Sequence, residues 1–352
     1  MKNNEKISAL DAQFEAQKIA FAPVIFQVVR TMRKFDILKL LDDNKEGLTL
    51  NEISEKSDIS TYGAKILLES ALSASIVLEN DGKYTLGKIG YFLENDKMIK
   101  VNMDFNHFVN YKGLYALDDA IKEEKPAGLK VFNDNWDTIY PYLTSLPEDA
   151  QKAWFGFDHH YSDSAFEDAI NQLKEFKPKT ILDIGGNTGK FSIRFAKNSK
   201  GINLTILDLP EQVEVAKQNI KDSGLEDRVA FYPLNILEHD NKIPKGFDII
   251  WMSQFIDCFS EEDAIKIFSR VKESMDENSR LCILEPLWDK QQFEASSYAI
   301  INTSPYFTAM ANGCSKMFNS TDLFDYIKKA GLTVEETFDG LGHTHTLVKC
   351  KI

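Results

Sequence analysis

The chain has 352 residues, of which 43% are hydrophobic and 27% are charged, and it carries a formal net charge of −13 at pH 7. This length and composition indicate a globular protein with room for two domains. The negative net charge argues against nucleic acid and against anionic membranes as partners, because both attract positively charged surfaces.

Cysteine usage and the N-terminus favour a cytoplasmic location. The cysteines lie far apart without a CxxC pair, which suits reduced thiols better than disulfides or a zinc site. The polar start "MKNNEKISALDAQFEAQ" has no apolar core, so we predict no signal peptide. The chain has no apolar run of about 18 residues, so we predict no membrane span. The cysteines are Cys258, Cys282, Cys314 and Cys350.

The N-terminal part of the chain has the pattern of a winged helix. Residues 10–45 show helical periodicity, and Thr49 followed by Glu52 is the signature of a capping box at a helix start. A further helix is predicted over residues 60–74, and the Asn-Asp-Gly turn at 80–82 joins two short predicted strands. Helix, helix and hairpin in this order are typical of a winged helix.

The charge of this module does not suit DNA binding. Residues 36–100 contain eight lysines and no arginine, against twelve aspartates and glutamates. A recognition helix needs cations to contact phosphates, and "STYGAKILLESALSAS" supplies one lysine. We therefore predict that residues 1–105 form a dimerisation domain and that the protein is a homodimer.

The remainder of the chain has the pattern of an α/β domain. Residues 106–170 are rich in aromatic side chains and are predicted to form a helical connector that lines the substrate pocket. From residue 178 strands alternate with helices, which predicts a doubly wound sheet in a domain over residues 171–352. The last two strands are predicted to form an antiparallel hairpin at the sheet edge. The predicted strands lie near 180–184, 203–207, 229–233, 247–252, 279–285, 332–338 and 343–350.

A glycine-rich turn follows the first strand of this domain, in "KTILDIGGNTGKFSIRFAK". Gly185, Gly186 and Gly189 let the backbone turn tightly and approach a ligand, and Asn187 tolerates left-handed geometry better than most residues. The spacing D-x-G-x-N-x-G differs from the dinucleotide motif and from a Walker loop. Asp208 ends the next strand, where an acidic side chain can accept both hydroxyls of a ribose. Loop and acid together predict a nucleoside-type cofactor. A structural role for Asp208 as a helix N-cap before Pro210 is compatible with this prediction.

Five segments in order carry a family resemblance: "DIGGNTGKF", "ILDLPEQVEVAK", "SQFIDCFSEEDAIKIFSRVKESM", "SRLCILEPLWD" and "TDLFDYIKKAGL". They resemble the motif series of S-adenosylmethionine-dependent O-methyltransferases of the plant caffeic acid and bacterial polyketide type. The resemblance spans nearly the whole chain. It implies an α/β fold, with a Rossmann-like class I methyltransferase domain behind a mainly helical winged-helix dimerisation domain. It also implies methylation of a small aromatic or polyketide-like hydroxyl acceptor.

The resemblance implies positions for S-adenosyl-L-methionine. The glycine loop faces the methionine end, Asp208 holds the ribose and Leu209 packs on the adenine. Asn235 stands where an adenine-side aspartate is usual, Ser253 where a lysine is common, and Phe259 where a tryptophan stacks. The implied cofactor residues are Asp183, Gly185, Gly186, Gly189, Asp208, Leu209, Asn235, Ile236, Ser253 and Phe259.

The catalytic position departs from the family pattern. In many members a His-Asp-Trp sequence follows the fourth strand and its histidine deprotonates a phenol, but "FIDCFSEED" places Asp257 at the histidine and Cys258 at the aspartate. The glutamate that orients the histidine is retained as Glu285, whereas a second such glutamate is absent from residues 315–319. Aspartate is a weaker base than histidine in water by about 2.6 pKa units, roughly 3.5 kcal/mol.

Three roles stay open for Asp257: capping or shaping the loop, positioning a substrate, or acting as the general base. Glu285 beside it would raise the pKa of one of the two carboxyls. His159 and His160 in "WFGFDHHYSDSAFEDAI" are rival bases, because consecutive helical residues fan around the axis and a histidine titrates near neutrality. Phe157, Tyr161 and Trp154 on the same predicted helix are candidates for substrate contact.

Other histidines and other functions are weaker hypotheses. His107, His343 and His345 are less favoured as bases, and the H-x-H pair lacks further ligands at metal-binding spacing, so we predict no metal. One alternative is a repurposed enzyme that keeps S-adenosylmethionine structurally and catalyses decarboxylation or hydroxylation. Another is a ligand-sensing winged-helix regulator without enzymatic activity.

Overall fold

The structure is a computed structural model that describes residues 7–238 and 240–352. The first six residues, part of the N-terminus for which we predict no signal peptide, lie outside the described residues. The chain divides into two compact units, residues 1–106 and 107–352. The predicted connector therefore lies within the second unit together with the sheet. Within the described ranges, no helix has both the length and the apolar composition needed to cross a membrane.

The first unit is a helical domain with a small three-stranded sheet of order β1-β3-β2. The helical run predicted over residues 10–45 is interrupted at Asp36, whose φ of 55° is left-handed and ends one helix before the next. The helices and strands are α1 (Ala9–Lys34), α2 (Ile37–Asp43), β1 (Leu48–Thr49), α3 (Leu50–Lys56), α4 (Thr61–Ser73), β2 (Val77–Asn80), β3 (Lys83–Leu86), α5 (Lys88–Asn95) and α6 (Lys97–Phe105).

Local sequence signals fix the winged-helix elements. Thr49 and Glu52 form the predicted capping box at the start of α3, with the Thr49 N–H donating to Glu52 Oε2 at 2.7 Å. The strands β2 and β3 pair antiparallel around the predicted turn at 80–82. Buried aliphatic side chains from α1 to α4, such as Leu38 and Leu68, form the core of this unit.

The second unit is built on a seven-stranded sheet of order β6-β5-β4-β7-β8-β10-β9. Its elements are α7 (Leu117–Glu123), α8 (Glu148–Lys174), β4 (Thr180–Ile184), α9 (Lys190–Asn198), β5 (Asn203–Asp208), α10 (Pro210–Asp222), β6 (Val229–Pro233), β7 (Ile249–Ser253), α11 (Glu261–Ser274), β8 (Arg280–Glu285), α12 (Glu294–Ile301), α13 (Ser304–Tyr306), α14 (Ser320–Lys329), β9 (Thr333–Leu341) and β10 (His345–Lys351).

The sheet confirms the predicted doubly wound α/β fold. Strands β4 to β8 are parallel, and β10 pairs antiparallel with both β8 and β9, as predicted for the edge hairpin. The central strands are buried along nearly their whole length because helices cover both faces of the sheet. The strand order reverses between β4 and β7, and ligands bind at the carboxyl ends of strands at such a switch point.

Candidate active site

The glycine loop lies directly after β4 and owes its shape to backbone geometry. Gly185 has a φ of +75°, and its N–H donates to Leu207 O at 2.9 Å. A Cβ on Gly185 would lie 2.2 Å from the ring of Phe255, so only glycine allows this close packing. Asn187 takes a φ of 48°, the left-handed conformation anticipated for it, and Gly189 starts α9.

Asp208 ends β5 and faces the same loop. Its Oδ2 accepts the Asn187 N–H and its Oδ1 accepts the Leu209 N–H, each at 2.7 Å. Burial raises the pKa of Asp208 to about 6, and the two backbone hydrogen bonds oppose that rise. Each carboxylate oxygen still has a lone pair for a further donor, as a ribose diol would require. Leu209, rather than Asp208, occupies the N-cap position before Pro210, and Asp208 fixes that residue through its backbone N–H.

The other predicted cofactor residues lie in or after strands β4, β6 and β7 of the same sheet. Asp183 is buried beneath it, accepts from Ser192 Oγ at 2.6 Å, and has its pKa raised to about 7 by burial. Asn235 Oδ1 accepts the Leu237 N–H at 3.0 Å, and Ile236 is buried. The ring of Phe259 packs edge-on against Phe255 at 4.9 Å.

Two polar atoms at this edge of the sheet have no protein partner. Asn187 Oδ1 and Ser253 Oγ are buried, and neither forms a hydrogen bond within the part of the chain that the structure describes. Buried polar atoms are nearly always satisfied, so atoms left open beside a glycine loop fit a polar ligand that contacts them. Asn187 Oδ1, Ser253 Oγ and the Asp208 carboxyl together offer hydrogen-bond acceptors and one hydroxyl. Such a set suits a nucleoside-type ligand that carries a polar substituent.

The loop after β7 is held by Glu285 at the end of β8. Gln254 turns the chain with a φ of 46°, and the next two N–H groups, of Phe255 and Ile256, donate to Glu285 Oε1 at 3.0 and 3.1 Å. Ser260 is the N-cap of α11, so Asp257 lies in the loop before this helix rather than at its cap. Glu285 therefore fixes the backbone that presents Asp257.

Asp257 and Glu285 form a buried acid pair. Their residues are 3% and 1% exposed. Burial raises the pKa of Asp257 to about 7, and burial followed by the charge of Asp257 holds the pKa of Glu285 well above its usual range. Glu285 Oε2 has no hydrogen-bond partner among the described residues. Burial therefore favours the protonated forms of both carboxyls, and each opposes the ionisation of the other.

Aromatic and polar groups enclose this pair. Trp154 Nε1 on α8 donates to the Tyr306 hydroxyl at 2.7 Å. Burial and the neighbouring acids raise the pKa values of the Tyr140 and Tyr306 phenols, and burial beside Asp257 raises that of the Cys258 thiol. Cys258 is therefore a neutral thiol, and thiol nucleophilicity requires the thiolate. Its carbonyl is fixed by Asn312 Nδ2 at 2.6 Å.

The candidate histidines lie in different surroundings. On α8, His159 Nε2 is 3.9 Å from Asp158 Oδ2, and burial lowers the pKa of His159. The ring of His160 stacks on His343 with centroids 5.1 Å apart. His345 is fully buried, which lowers its pKa to about 3, and its Nε2 lies 3.2 Å from Gln254 Oε1 in the turn before the catalytic loop.

Comparison with known proteins identifies the family. The family model for a Dimerisation2-like domain matches residues 13–84, and the model for an O-methyltransferase domain matches residues 114–331. The second match alone covers more than half of the chain. The protein belongs to the O-methyltransferase family. The methyltransferase activity and the S-adenosylmethionine cofactor predicted from the motif series are thereby confirmed.

Relatives of this methyltransferase align along most of its length. The L-tyrosine C(3)-methyltransferase of Streptomyces lavendulae is 22% identical over 320 residues, which is 90% of this chain and 86% of the relative. The O-methyltransferase fsr2 of Gibberella fujikuroi is 31% identical over 280 residues, 73% of this chain and 69% of the relative. The solved S-adenosylmethionine-dependent methyltransferase SibL shares 20% identity with a TM-score of 0.73, over 95% of this chain and 97% of SibL. These likenesses support the fold class predicted from the sequence.

The methyltransferase gathers most of the predicted site residues at the carboxyl ends of β4, β5, β7 and β8. The helix α8 contributes Trp154 to the aromatic enclosure, whereas Tyr161 is buried with its ring 4.9 Å from Phe157. The sequence analysis assigned no role to several residues around Asp257. Gln254 and Phe255 lie in the same motif segment as Asp257, and a polar residue in the inward stripe of α8 was a visible signal for Asp158. No motif pointed to the remaining residues, which come from distant segments: Tyr140, Tyr306 and Asn312.

Proposed function

We propose that this methyltransferase methylates the hydroxyl of a small aromatic acceptor, with Asp257 as the general base. The observation that supports the proposal is the burial of Asp257, which raises the pKa of its carboxyl to about 7. The difference in pKa between aspartate and histidine in water is therefore not a measure of how basic Asp257 is at this position. A base with a pKa near the working pH combines availability of the free base with sufficient basicity.

The surrounding residues divide the remaining tasks. S-adenosylmethionine, when bound, supplies a methyl group on a positively charged sulfur. Asp208 and the glycine loop hold this cofactor, and Glu285 keeps the loop that carries Asp257 in one conformation. Asp257 takes the proton of the acceptor hydroxyl, which makes the oxygen a stronger nucleophile. Orientation by the aromatic enclosure supplies much of the remaining rate.

Methylation of a ring carbon beside the hydroxyl is the second candidate function. It is favoured by the relative named L-tyrosine C(3)-methyltransferase, which aligns with 90% of this chain. Loss of the phenol proton places negative charge on the oxygen and on the adjacent ring carbons, so Asp257 serves either outcome. Which atom receives the methyl group depends on how the ring is placed, and the mass spectrum and proton NMR of the product distinguish the two.

We also propose that residues 1–105 form the homodimer interface and that residues 106–170 line the acceptor pocket of the domain at 171–352. The proposal for the interface rests on the Dimerisation2-like match and on large apolar side chains that α1 leaves exposed. These side chains are Leu10, Phe14, Ile19, Phe21 and Val24.

Methyl transfer from radiolabelled S-adenosylmethionine to a panel of phenols tests the function. We expect Asp257→Asn to lower kcat by about 100-fold or more, within the range of general-base catalysis, with cofactor affinity unchanged. His159→Ala and His160→Ala are the matched variants and should retain most turnover. Wild-type kcat in Asp257→Asn would exclude it as the base, and cofactor binding without any methyl transfer would favour the repurposed enzyme.

A further inference from the structure

Asp158 lies on the inward face of α8, where an apolar side chain would be expected. Trp154 is one helical turn before it and Ser162 one turn after it, so the three share a face. Trp154 Nε1 bonds to Tyr306, and Ser162 is buried. A carboxylate in the buried stripe of a helix is costly unless something compensates its charge.

The protein provides no close partner for the Asp158 carboxylate. Among the described residues it accepts no hydrogen bond, and its contact with His159 Nε2 is 3.9 Å long. Its side chain is 24% exposed, so the carboxylate is accessible to a small ligand. Burial raises the pKa of Asp158 to about 7, and burial keeps the neighbouring His159 neutral by lowering its pKa.

The same region contains another polar atom without a close partner. Glu285 is 1% exposed, and its Oε2 forms no hydrogen bond among the described residues. The charge of Asp158 raises the pKa of Asp257, so the acids lie within electrostatic range of one another. An open buried acceptor beside two further carboxyls fits a ligand that donates several hydrogen bonds.

The positive charges nearest to Asp158 are already used. Lys190 acts on Asp158 electrostatically, but its Nζ pairs with Asp163 at 3.2 Å. Arg194 pairs with the same Asp163 at 3.4 Å. Among the described residues, the acid cluster of Asp158, Asp257 and Glu285 therefore has more carboxyls than unpaired cations. The rings of Trp154 and Tyr306 lie beside it and can attract a cation through their faces.

We propose that the acceptor carries a protonated amine and that Asp158 binds it, so that the substrate class is a phenol with an aminoalkyl side chain. The inference rests on the proposed function and narrows its substrate. An ammonium group brings three donors and the charge that the acid cluster lacks. A carboxylate at the same place on the acceptor would be repelled by Asp158 and Asp257.

Three acceptors with one ring and different side chains test the proposal. Tyramine carries the ammonium group, 4-propylphenol is its neutral counterpart, and 3-(4-hydroxyphenyl)propanoate carries a negative charge. We expect tyramine to exceed the neutral phenol in kcat/KM by about 30-fold or more, as for a desolvated charge pair, and the carboxylate to be the poorest. Asp158→Asn should abolish the preference for tyramine through KM, read as the ratio of kcat/KM for tyramine to kcat/KM for 4-propylphenol in the same variant.

The control variant is Asp149→Asn, since Asp149 is exposed in the first turn of the same helix. It should keep the wild-type preference. Equal kcat/KM for tyramine and 4-propylphenol would overturn the inference and leave the proposed function intact. A second result would also overturn the inference. In it, Asp158→Asn changes the affinity for S-adenosylmethionine relative to S-adenosylhomocysteine but leaves the preference among the acceptors unchanged. Absence of methyl transfer to all three phenols would instead count against the proposed function.

Discussion

At the scale of single residues, the environment of Asp257 decides what its carboxyl can do. In water aspartate is a poor base for a phenol, but 3% exposure and a neighbouring acid bring the pKa of Asp257 to about 7. The family motif predicted that Glu285 would be retained beside it. The sequence could not predict the basicity, because burial arises from Tyr140, Tyr306 and α8, which are distant along the chain.

The stability of the protein should depend on the buried Glu285 in a definite direction with pH. Its folded-state pKa is raised, so its carboxyl stabilises the fold fully only below the unfolded value of about 4.3, and this contribution is lost as pH rises through the folded value. Glu285→Gln keeps an oxygen for the two backbone N–H groups. We expect the unfolding free energy of this variant, measured with urea and compared with that of the wild type, to be more favourable to the variant at pH 9 than at pH 5. If the variant and the wild type differed in unfolding free energy by the same amount at both pH values, the burial of an ionisable pair would be contradicted.

Gly185 should be required for its lack of a side chain as well as for its backbone angle. In Gly185→Ala the new Cβ would meet the Phe255 ring at 2.2 Å, and the φ of +75° would be strained. Gly201 has a φ of +77° but open space around it, so Gly201→Ala measures strain alone. We expect Gly185→Ala to lose S-adenosylmethionine affinity by about 10-fold or more in calorimetry, with no loss in Gly201→Ala. Equal affinities would show that the packing of Phe255 on the loop is unimportant.

At the scale of elements, the turn between β9 and β10 supports the catalytic loop. His345 contacts Gln254, the His343 N–H donates to Ser164 Oγ at 3.2 Å, and the Gly342 N–H donates to Asp168 Oδ2 at 3.0 Å. The hairpin itself was predicted from its two strands. Its contact with the active site was not, because the H-x-H pattern gives no information on which loop the turn will meet.

His345 should position the loop without taking part in proton transfer. His345→Leu leaves Gln254 Oε1 without its partner beside Phe255 and Asp257. We expect kcat to fall about 10-fold because the base is displaced, with the pH midpoint of the reaction and cofactor affinity unchanged. His343→Leu, in the same turn but stacked on His160, is the control and should retain its kcat. A shifted pH midpoint in His345→Leu would show that His345 itself titrates during the reaction.

At the scale of the whole molecule, the order of elements was predictable and the assembly of the site was only partly so. Strand and helix periodicity predicted the sheet and its edge hairpin, and the glycine loop with Asp208 predicted the cofactor edge. The side that we propose for the acceptor includes short helical turns around 113–145 and 304–312, whose sequences have no regular period. Only tertiary packing brings such residues to Asp257.

The quaternary state should depend on the apolar face of α1. Phe14 and Ile19 are 57% and 76% exposed in one chain, and helices rarely leave such side chains in water. The double change Phe14→Glu and Ile19→Glu should shift the mass measured by light scattering from that of a dimer toward the 40.1 kDa of one chain. Tyr62→Glu, at an exposed position on α4, is the control. A dimer that survives the double change would place the interface elsewhere.

The pH dependence of methyl transfer to a phenol tests the central claim most directly. Because Asp257 must be ionised to accept the proton, kcat/KM of the wild type should fall as pH drops below about 7, and this step should be absent from the residual activity of Asp257→Asn. A step near pH 7 that persists unchanged in Asp257→Asn, or full activity at pH 5 in the wild type, would contradict the assignment of Asp257 as the base.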